Sequence, residues 1–172
     1  MVVASALLFS CNQQSAQVAK NSQPEKTAAM NENKEVSAVK TTPEHLTKQA
    51  FLDKVMDYEK NPKEWVFKGD KPCVIDFYAD WCPPCRITSP IMEELAQEYA
   101  GRINVYKVNV DQEKELAALF GIQSIPSFLY CPMNGKPSMS SGIAQTKEAT
   151  KTMFKQQIET LLLNNNKTSS NL

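Results

Sequence analysis

Hydrophobic side chains recur along the middle of the chain at two spacings, one typical of helices and the other typical of strands. The two patterns alternate from about residue 43 to residue 163. They predict, in order, a helix from about Lys48 to Tyr58, a short strand at Trp65 to Phe67, a strand at Cys73 to Ala79, a helix from Arg86 to Ala100, a strand at Ile103 to Val110, a helix from Asp111 to Phe120, a strand at Ser127 to Cys131, a strand near Ser138 to Ser141 and a helix from about Thr146 to Leu163.

Two features of this pattern indicate how the strands pair. The stretch from Cys73 to Ala79 is apolar at both alternating sets of positions except for Asp76, which is typical of a central parallel strand covered on both faces. Asn134-Gly135 is a strong hairpin signal. The strands on either side of that turn are therefore predicted to pair antiparallel.

The ends of the chain differ in composition from its middle, which places one domain at residues 44–163. Residues 12–43 are polar, contain no aromatic side chain and cannot bury enough apolar area to offset their conformational entropy. We expect a flexible tether there, with a reach of about 30 Å. Residues 164–172 are expected to form a polar tail.

Residues 1–10 are apolar or small and end directly before Cys11, with Leu8 at minus three and Ser10 at minus one. This stretch resembles the end of a bacterial lipoprotein signal, in which the cysteine is acylated, so residues 1–11 are interpreted as a signal remnant. No Lys or Arg precedes the run, and a basic region would then have to lie upstream. A short N-terminal helix or a disordered end is the alternative. Because about twenty apolar residues are needed to span a bilayer, acyl chains on Cys11 would supply the anchor.

The charge balance and the cysteine content exclude some classes of function and structure. Nineteen basic residues balance nineteen acidic ones, so the sequence predicts no nucleic-acid partner. The five cysteines lack the spacing of a disulfide framework. Cys73 and Cys131 fall on strands predicted to be neighbours, and we interpret them as buried small hydrophobic residues rather than as a second disulfide.

The segment Trp81-Cys82-Pro83-Pro84-Cys85 joins a predicted strand to a predicted helix. Two cysteines separated by two residues can form a small-ring disulfide, whose first sulfur would lie over the free N–H groups and the positive end of the helix. That position stabilises a thiolate, the species that attacks disulfides. A structural zinc site is the alternative, but it needs about four N or S ligands. The chain has one histidine and no second such pair, so we expect neither a metal nor a cofactor.

Asp76 is unusual in the strand that precedes this segment. A buried carboxylate without a partner costs several kcal/mol or takes up a proton. A carboxyl group six residues before Cys82 could lie beneath the disulfide with a raised pKa and take the proton of the second thiol. The alternative is an aspartate on a solvated strand face. Lys107 is either a charge near Asp76 or a solvated lysine.

The order of elements and the stretch from Val74 to Cys85 resemble thioredoxin. The family's buried acid falls on Asp76, its helix-kinking proline on Pro90 and its lysine near the acid on Lys107. Its cis-proline falls on Pro126 and its late groove glycine on Gly142. The resemblance covers about residues 44–163 and implies an α/β thioredoxin fold, with a central mixed sheet of four to five strands flanked by helices on both faces.

The resemblance also implies a role for each of these residues. Cys82 is the attacking thiolate, Cys85 resolves the mixed disulfide, and Asp76, aided by Lys107, handles the proton of Cys85. A shallow substrate groove would be formed by Trp81, Pro83, Pro84, Ile125, Pro126 and Gly142. Pro83 stands where the family usually has glycine, removes a backbone N–H and leaves the direction of electron flow open.

Together these features predict a monomeric, lipid-anchored thiol–disulfide oxidoreductase of the bacterial periplasm that reduces disulfides in client proteins. It would need an upstream electron donor. If the N-terminal segment is not a signal, the cytoplasm is the alternative location. An oxidase or isomerase is the alternative within the enzymes. A copper-delivering dithiol protein is the alternative from another class, but no histidine follows Cys85 as a third ligand.

Overall fold

A five-stranded sheet with helices on both faces forms the domain, in the part of the chain, residues 41–164, that the computed structural model describes. The elements are β1 (Glu44–His45), α1 (Lys48–Lys54), β2 (Cys73–Tyr78), α2 (Pro83–Glu98), β3 (Asn104–Asn109), α3 (Lys114–Leu119), β4 (Ser127–Cys131), β5 (Ser138–Ser141), α4 (Lys147–Gln157) and a π-helical segment (Ile158–Leu163) that continues α4.

The strands lie in the order β1-β3-β2-β4-β5. β1 and β2 both pair with β3 in parallel, whereas β4 pairs antiparallel with β2 and with β5. The mixed sheet and the hairpin around Asn134-Gly135 are thus as predicted. β2 is central and every residue in it is buried, which agrees with its apolar pattern.

Two apolar layers hold the helices to the sheet. One lies between the sheet and the helices α2 and α4, where the rings of Phe128 and Phe154 are 4.5 Å apart. The other lies against α1 and α3 and contains Phe51, Phe77 and Leu116. Because successive strand residues point to opposite faces, Asp76 and Tyr78 share the α2 and α4 face with Val74.

Several predicted boundaries were wrong. The first helix ends at Lys54 rather than Tyr58, because the Asp57 carboxylate accepts the backbone N–H of Lys60 and forms a turn there. Trp65 to Phe67 is not a strand, and the next backbone N–H, that of Lys68, donates to the carbonyl of Val55 instead of to the sheet. β1, at the start of the domain, had not been predicted.

The predictions for the two ends of the chain lie outside the described residues. They concern Cys11 with its signal remnant, most of the tether at residues 12–43 and most of the tail at residues 164–172. From residue 41 to residue 164, no helix is long and apolar enough to cross a bilayer.

Candidate active site

The two cysteines of the Cys-Pro-Pro-Cys segment lie at the N-terminus of α2. Cys82 is the N-cap of that helix, with Pro83 and Pro84 at its first two positions, where proline's missing N–H would have no helical partner in any case. Cys82 and Cys85 form a disulfide with a Cα–Cα distance of 5.3 Å. Both residues are 2% exposed. The site is therefore a redox-active pair at the positive end of a helix.

Backbone groups surround the sulfur of Cys82. The backbone N–H of Cys85 donates to Cys82 Sγ at 3.2 Å, and the carbonyl oxygen of Ile125 lies 3.8 Å from the same sulfur. The first of these contacts stabilises negative charge on the sulfur once the disulfide is opened. The second places the backbone that precedes Pro126 directly beside the reacting atom.

Among the predicted groove residues, Ile125 contacts this sulfur, and Pro126 and Gly142 are linked to Ile125 through the backbone. The Ile125–Pro126 peptide bond is cis, and the carbonyl of Pro126 accepts the N–H of Gly142 at 2.9 Å. Gly142 has a φ of 82°, a backbone conformation that residues with a side chain rarely adopt. Trp81 is 65% exposed, and its indole N–H donates to Asp111 Oδ2 at 2.8 Å, which fixes an apolar surface beside the disulfide.

Asp76 is fully buried, so the alternative that it lies on a solvated face is wrong. Among the described residues, neither of its carboxylate oxygens has a hydrogen-bond partner. Burial raises the pKa of Asp76 to about 7, and the charge of Lys107 opposes that rise. A carboxyl group with this pKa can both accept and release a proton near neutral pH.

Lys107 lies beside Asp76, as its Cα partner on the neighbouring strand β3. The Nζ atom of Lys107 is 3.5 Å from Ser89 Oγ and 4.5 Å from the centroid of the Tyr78 ring. Its ammonium group thus lies between α2 and the sheet rather than in open solvent.

A cleft of about 310 Å³ opens next to these residues, and two of its lining residues were missed from the sequence. It is lined by His45, Tyr78, Ala79, Asp80, Cys85, Arg86, Ser89 and Lys107. In the sequence, Tyr78 is one residue of an apolar strand and His45 is the single histidine of the chain. Nothing in the sequence brings them together, because β1 is too short to show a periodicity.

Cys73 and Cys131 are direct Cα partners on β2 and β4, so their strands are neighbours as predicted. Both are buried and carry free thiols. Burial raises the pKa of the Cys131 thiol, and its hydrogen bond with Cys73 adds to the rise. They pack as small hydrophobic residues in the layer beneath α1 and α3.

The described residues contain no cluster of three or more His, Cys, Asp or Glu side chains arranged to hold a metal ion. Cys82 and Cys85 supply two sulfurs, and the arrangement around them supports exchange between thiols and disulfides.

Comparison with known proteins agrees with this geometry. A family model described as Thioredoxin matches residues 43–158. The chain is similar to the thioredoxin of Borreliella burgdorferi, with 49% identity over 100 residues that cover 58% of this chain and 85% of that one. It is also similar to thioredoxin 1 of Nostoc, with 38% identity over 93 residues covering 54% and 87%.

Among solved structures, the chain shares its fold with chloroplastic thioredoxin z. The TM-score is 0.51 at 21% sequence identity, over 67% of this chain and 93% of the other.

Proposed function

Because the chain belongs to the thioredoxin family and is a thiol–disulfide oxidoreductase, we propose that it reduces disulfides of extracytoplasmic proteins. The observation that carries the proposal is the Cys82–Cys85 disulfide at the N-terminus of α2, bordered by an exposed tryptophan and a backbone carbonyl. This arrangement gives an incoming disulfide both an attacking sulfur and a surface on which to lie.

The reaction consists of two displacements. The Cys82 thiolate attacks one sulfur of the client disulfide, which forms a mixed disulfide and releases the other client sulfur as a thiolate. Cys85 then attacks Cys82 Sγ, forms the intramolecular disulfide and releases the second client sulfur. The client gains two electrons and the protein loses two, which an upstream electron donor returns.

Asp76 accepts the proton that Cys85 must lose before it attacks. A carboxyl group whose pKa is about 7 is ionised in a large fraction of molecules at neutral pH and can hold the proton afterwards. The ammonium of Lys107 favours the ionised form that begins the step.

The groove binds the client chiefly through its backbone. Ile125 presents a carbonyl oxygen 3.8 Å from Cys82 Sγ, and Trp81 and Pro83 present exposed surface on the other side. A strand that lies between them would be recognised through main-chain groups, which makes the site tolerant of client sequence.

The helix N-terminus favours reduction over oxidation of the client. Pro83 and Pro84 have no N–H, so Cys82 Sγ accepts its bond from the third position of α2, Cys85. With fewer N–H donors, the Cys82 thiolate of the reduced form is less stabilised. Strong dithiol oxidants are those whose reduced form is stabilised, so this site has the opposite tendency. The protein should therefore act as an electron donor to its clients.

The same proposal places the protein in the bacterial periplasm, anchored to a membrane through lipid on Cys11. Its support is the sequence of residues 1–11 and the polar composition of residues 12–43. A tether of that length would let the domain meet soluble clients near the membrane surface.

Substitution of the two cysteines tests the chemistry. Cys82→Ala should abolish reduction of insulin disulfides, whereas Cys85→Ala should accumulate mixed disulfides with clients, because the attacking sulfur remains and the resolving sulfur is absent. Non-reducing electrophoresis and mass spectrometry detect the trapped species. Cys73→Ala, which removes a thiol outside the site, is the matched control and should retain activity. Trapping by Cys82→Ala instead would reverse the two roles.

A further inference from the structure

Three titratable side chains lie in one row across the sheet. His45 on β1 is the Cα partner of Lys107 on β3, and Lys107 is the partner of Asp76 on β2. Paired residues of neighbouring parallel strands point to the same face, so all three side chains lie on the α2 side. Tyr78, two residues after Asp76, lies on that face as well. The row runs from the buried Asp76 to the exposed His45.

Tyr78 contacts two members of this row, Lys107 and His45. Its ring centroid lies 4.5 Å from Lys107 Nζ, a distance at which an ammonium group is attracted to the face of the ring. Its hydroxyl lies 3.3 Å from His45 Nδ1, and the two rings meet edge to face with centroids 5.9 Å apart. Burial raises the pKa of Tyr78, which keeps the phenol neutral and able to share a hydrogen bond with the imidazole.

The Lys107 ammonium has other possible partners in the cleft besides Asp76. The cleft it lines also contains Asp80, whose carboxylate accepts a hydrogen bond from Asn109, and the cleft has room for several water molecules. A flexible lysine stem would reach either of these. Its contact with Ser89, at 3.5 Å, is too long to hold the ammonium by itself.

We propose that Tyr78, braced by His45, is a positioning residue that holds the Lys107 ammonium beside Asp76 and so sets the pH at which Asp76 can take the proton of Cys85. The proposal rests on the role given to Asp76 above. The ionisable groups coupled to Asp76 are Tyr78 on its own strand, Lys107 on β3 and Tyr130 on β4. Of these three, the Lys107 ammonium carries a positive charge. His45, Asp80 and Arg86 line the cleft beside Lys107.

The test is the pH dependence of the resolving step. Reduced protein is mixed with 5,5′-dithiobis(2-nitrobenzoate) in a stopped-flow instrument, and release of the second thionitrobenzoate reports the attack of Cys85. Tyr78→Leu, which removes the ring and the hydroxyl, should move the midpoint of the profile to higher pH by about half a unit, which is roughly a threefold fall in the ratio of ionised to protonated Asp76. Tyr78→Phe and His45→Ala should move it less, because the ring remains over the ammonium.

Two controls separate positioning from general damage. Glu44→Gln changes the neighbour of His45 on the opposite face of β1, and Tyr106→Leu removes a ring of β3 from the opposite face of the sheet. Both should leave the midpoint in place, even where they alter the melting temperature. A midpoint that moves with either control as much as with Tyr78→Leu would overturn the proposal.

A double-mutant cycle shows whether Tyr78 acts through Lys107. In the Lys107→Gln background, Tyr78→Leu should cause no further shift, because the charge that it positions is gone. An equal shift in both backgrounds, or no shift in the wild-type background, would overturn the proposal. The Asp76→Asn variant distinguishes failure of the proton-transfer role of Asp76 from failure of the positioning role of Tyr78. An unchanged pH profile in that variant refutes the role of Asp76, whereas a flattened profile together with an unshifted Tyr78→Leu refutes only the positioning role of Tyr78.

Discussion

Asp76 is the residue at which stability and function are opposed. Its carboxyl group is fully buried, and among residues 41–164 no hydrogen-bond donor reaches it. An ordinary aspartate has a pKa near 4, whereas that of Asp76 is raised to about 7. Between these two values the folded protein keeps a proton that the unfolded chain has lost. The contribution of the protonated Asp76 carboxyl to the stability of the fold is therefore complete below about pH 4 and is lost as the pH rises through about 7.

We predict that Asp76→Asn becomes more stable relative to the wild type as the pH rises. The difference in free energy of unfolding between the two should change in favour of the variant by about 2–4 kcal/mol from pH 4 to pH 8, because the amide has no proton to lose. Urea denaturation across that range measures it. A difference that is constant with pH would show that Asp76 is ionised without cost.

The same variant should resolve mixed disulfides more slowly than the wild type, since an amide cannot accept the proton of Cys85. Identical rates across about pH 6 to 9 would leave Asp76 without a role in proton transfer.

At the residue level, the sequence predicted the site residues that lie close together along the chain. Cys82, Cys85 and Asp76 lie within ten residues of one another, and a polar residue in an apolar strand stands out in any single sequence. His45 and Tyr78 are 33 residues apart, and only the parallel pairing of β1 with β3 brings them into one cleft. Whether a lysine near the middle of the chain meets Asp76 also depends on strand register, which is why both interpretations of Lys107 stood open.

At the level of elements, long amphipathic segments were predictable and short ones were not. β2 to β4 and the four α-helices each carry enough periodic positions to be recognised, and β5 is predicted from the Asn134-Gly135 turn that precedes it. β1 has two residues and forms by pairing with β3. The π-helical segment from Ile158 to Leu163 continues the apolar pattern of α4, so its different hydrogen bonding leaves no trace in the sequence.

The N-terminus of α2 gives a prediction about redox potential. An N-cap side chain accepts hydrogen bonds from the backbone N–H groups of the second and third helical positions. In α2 the second position is Pro84, which has no N–H, so only the third position, Cys85, donates. Pro84→Ala restores an N–H there, so it should stabilise the Cys82 thiolate and raise the reduction potential, making the protein a weaker reductant. We expect a rise of about 10–30 mV, which corresponds to one hydrogen bond in a two-electron couple.

Equilibration of the Cys82–Cys85 pair with glutathione measures this potential. Pro83→Ala should give a smaller rise, since the first helical N–H points less directly at the cap. Pro90→Ala restores an N–H within the same helix but two turns away from the sulfur, and it should leave the potential unchanged. An equal rise for all three substitutions would attribute the effect to helix stability rather than to the thiolate.

At the scale of the whole domain, the redox pair Cys82–Cys85 and the free thiols of Cys73 and Cys131 lie in different places. Cys73 begins β2, and Cys82 follows its end, so about 20 Å of strand separates them. Cys73 and Cys131 are buried on the face of α1 and α3, whereas the redox pair lies at the N-terminus of α2. The free thiols therefore lie on the opposite face of the sheet from Asp76 and about one strand length from the redox pair.

The last prediction concerns where the molecule works. If lipid on Cys11 anchors the chain, Cys11→Ser should move the protein from the membrane pellet to the soluble fraction of a bacterial host, while its disulfide reductase activity in extracts stays the same. The activity persists because the domain at residues 44–163 carries the site. A full-length gene that includes any upstream start is required, since the basic region of a signal would lie there.

Gln17→Ala, a substitution in the same N-terminal stretch, is the matched control and should leave the protein in the pellet. Metabolic labelling with a radioactive fatty acid adds a second measure, because the label should attach to the wild type and to Gln17→Ala but not to Cys11→Ser. More than one acyl chain is needed for stable anchoring, so partial labelling should coincide with partial release. An unchanged pellet fraction for Cys11→Ser would refute the lipid anchor, whereas wild-type protein found in the soluble cytoplasmic fraction would favour the cytoplasmic alternative.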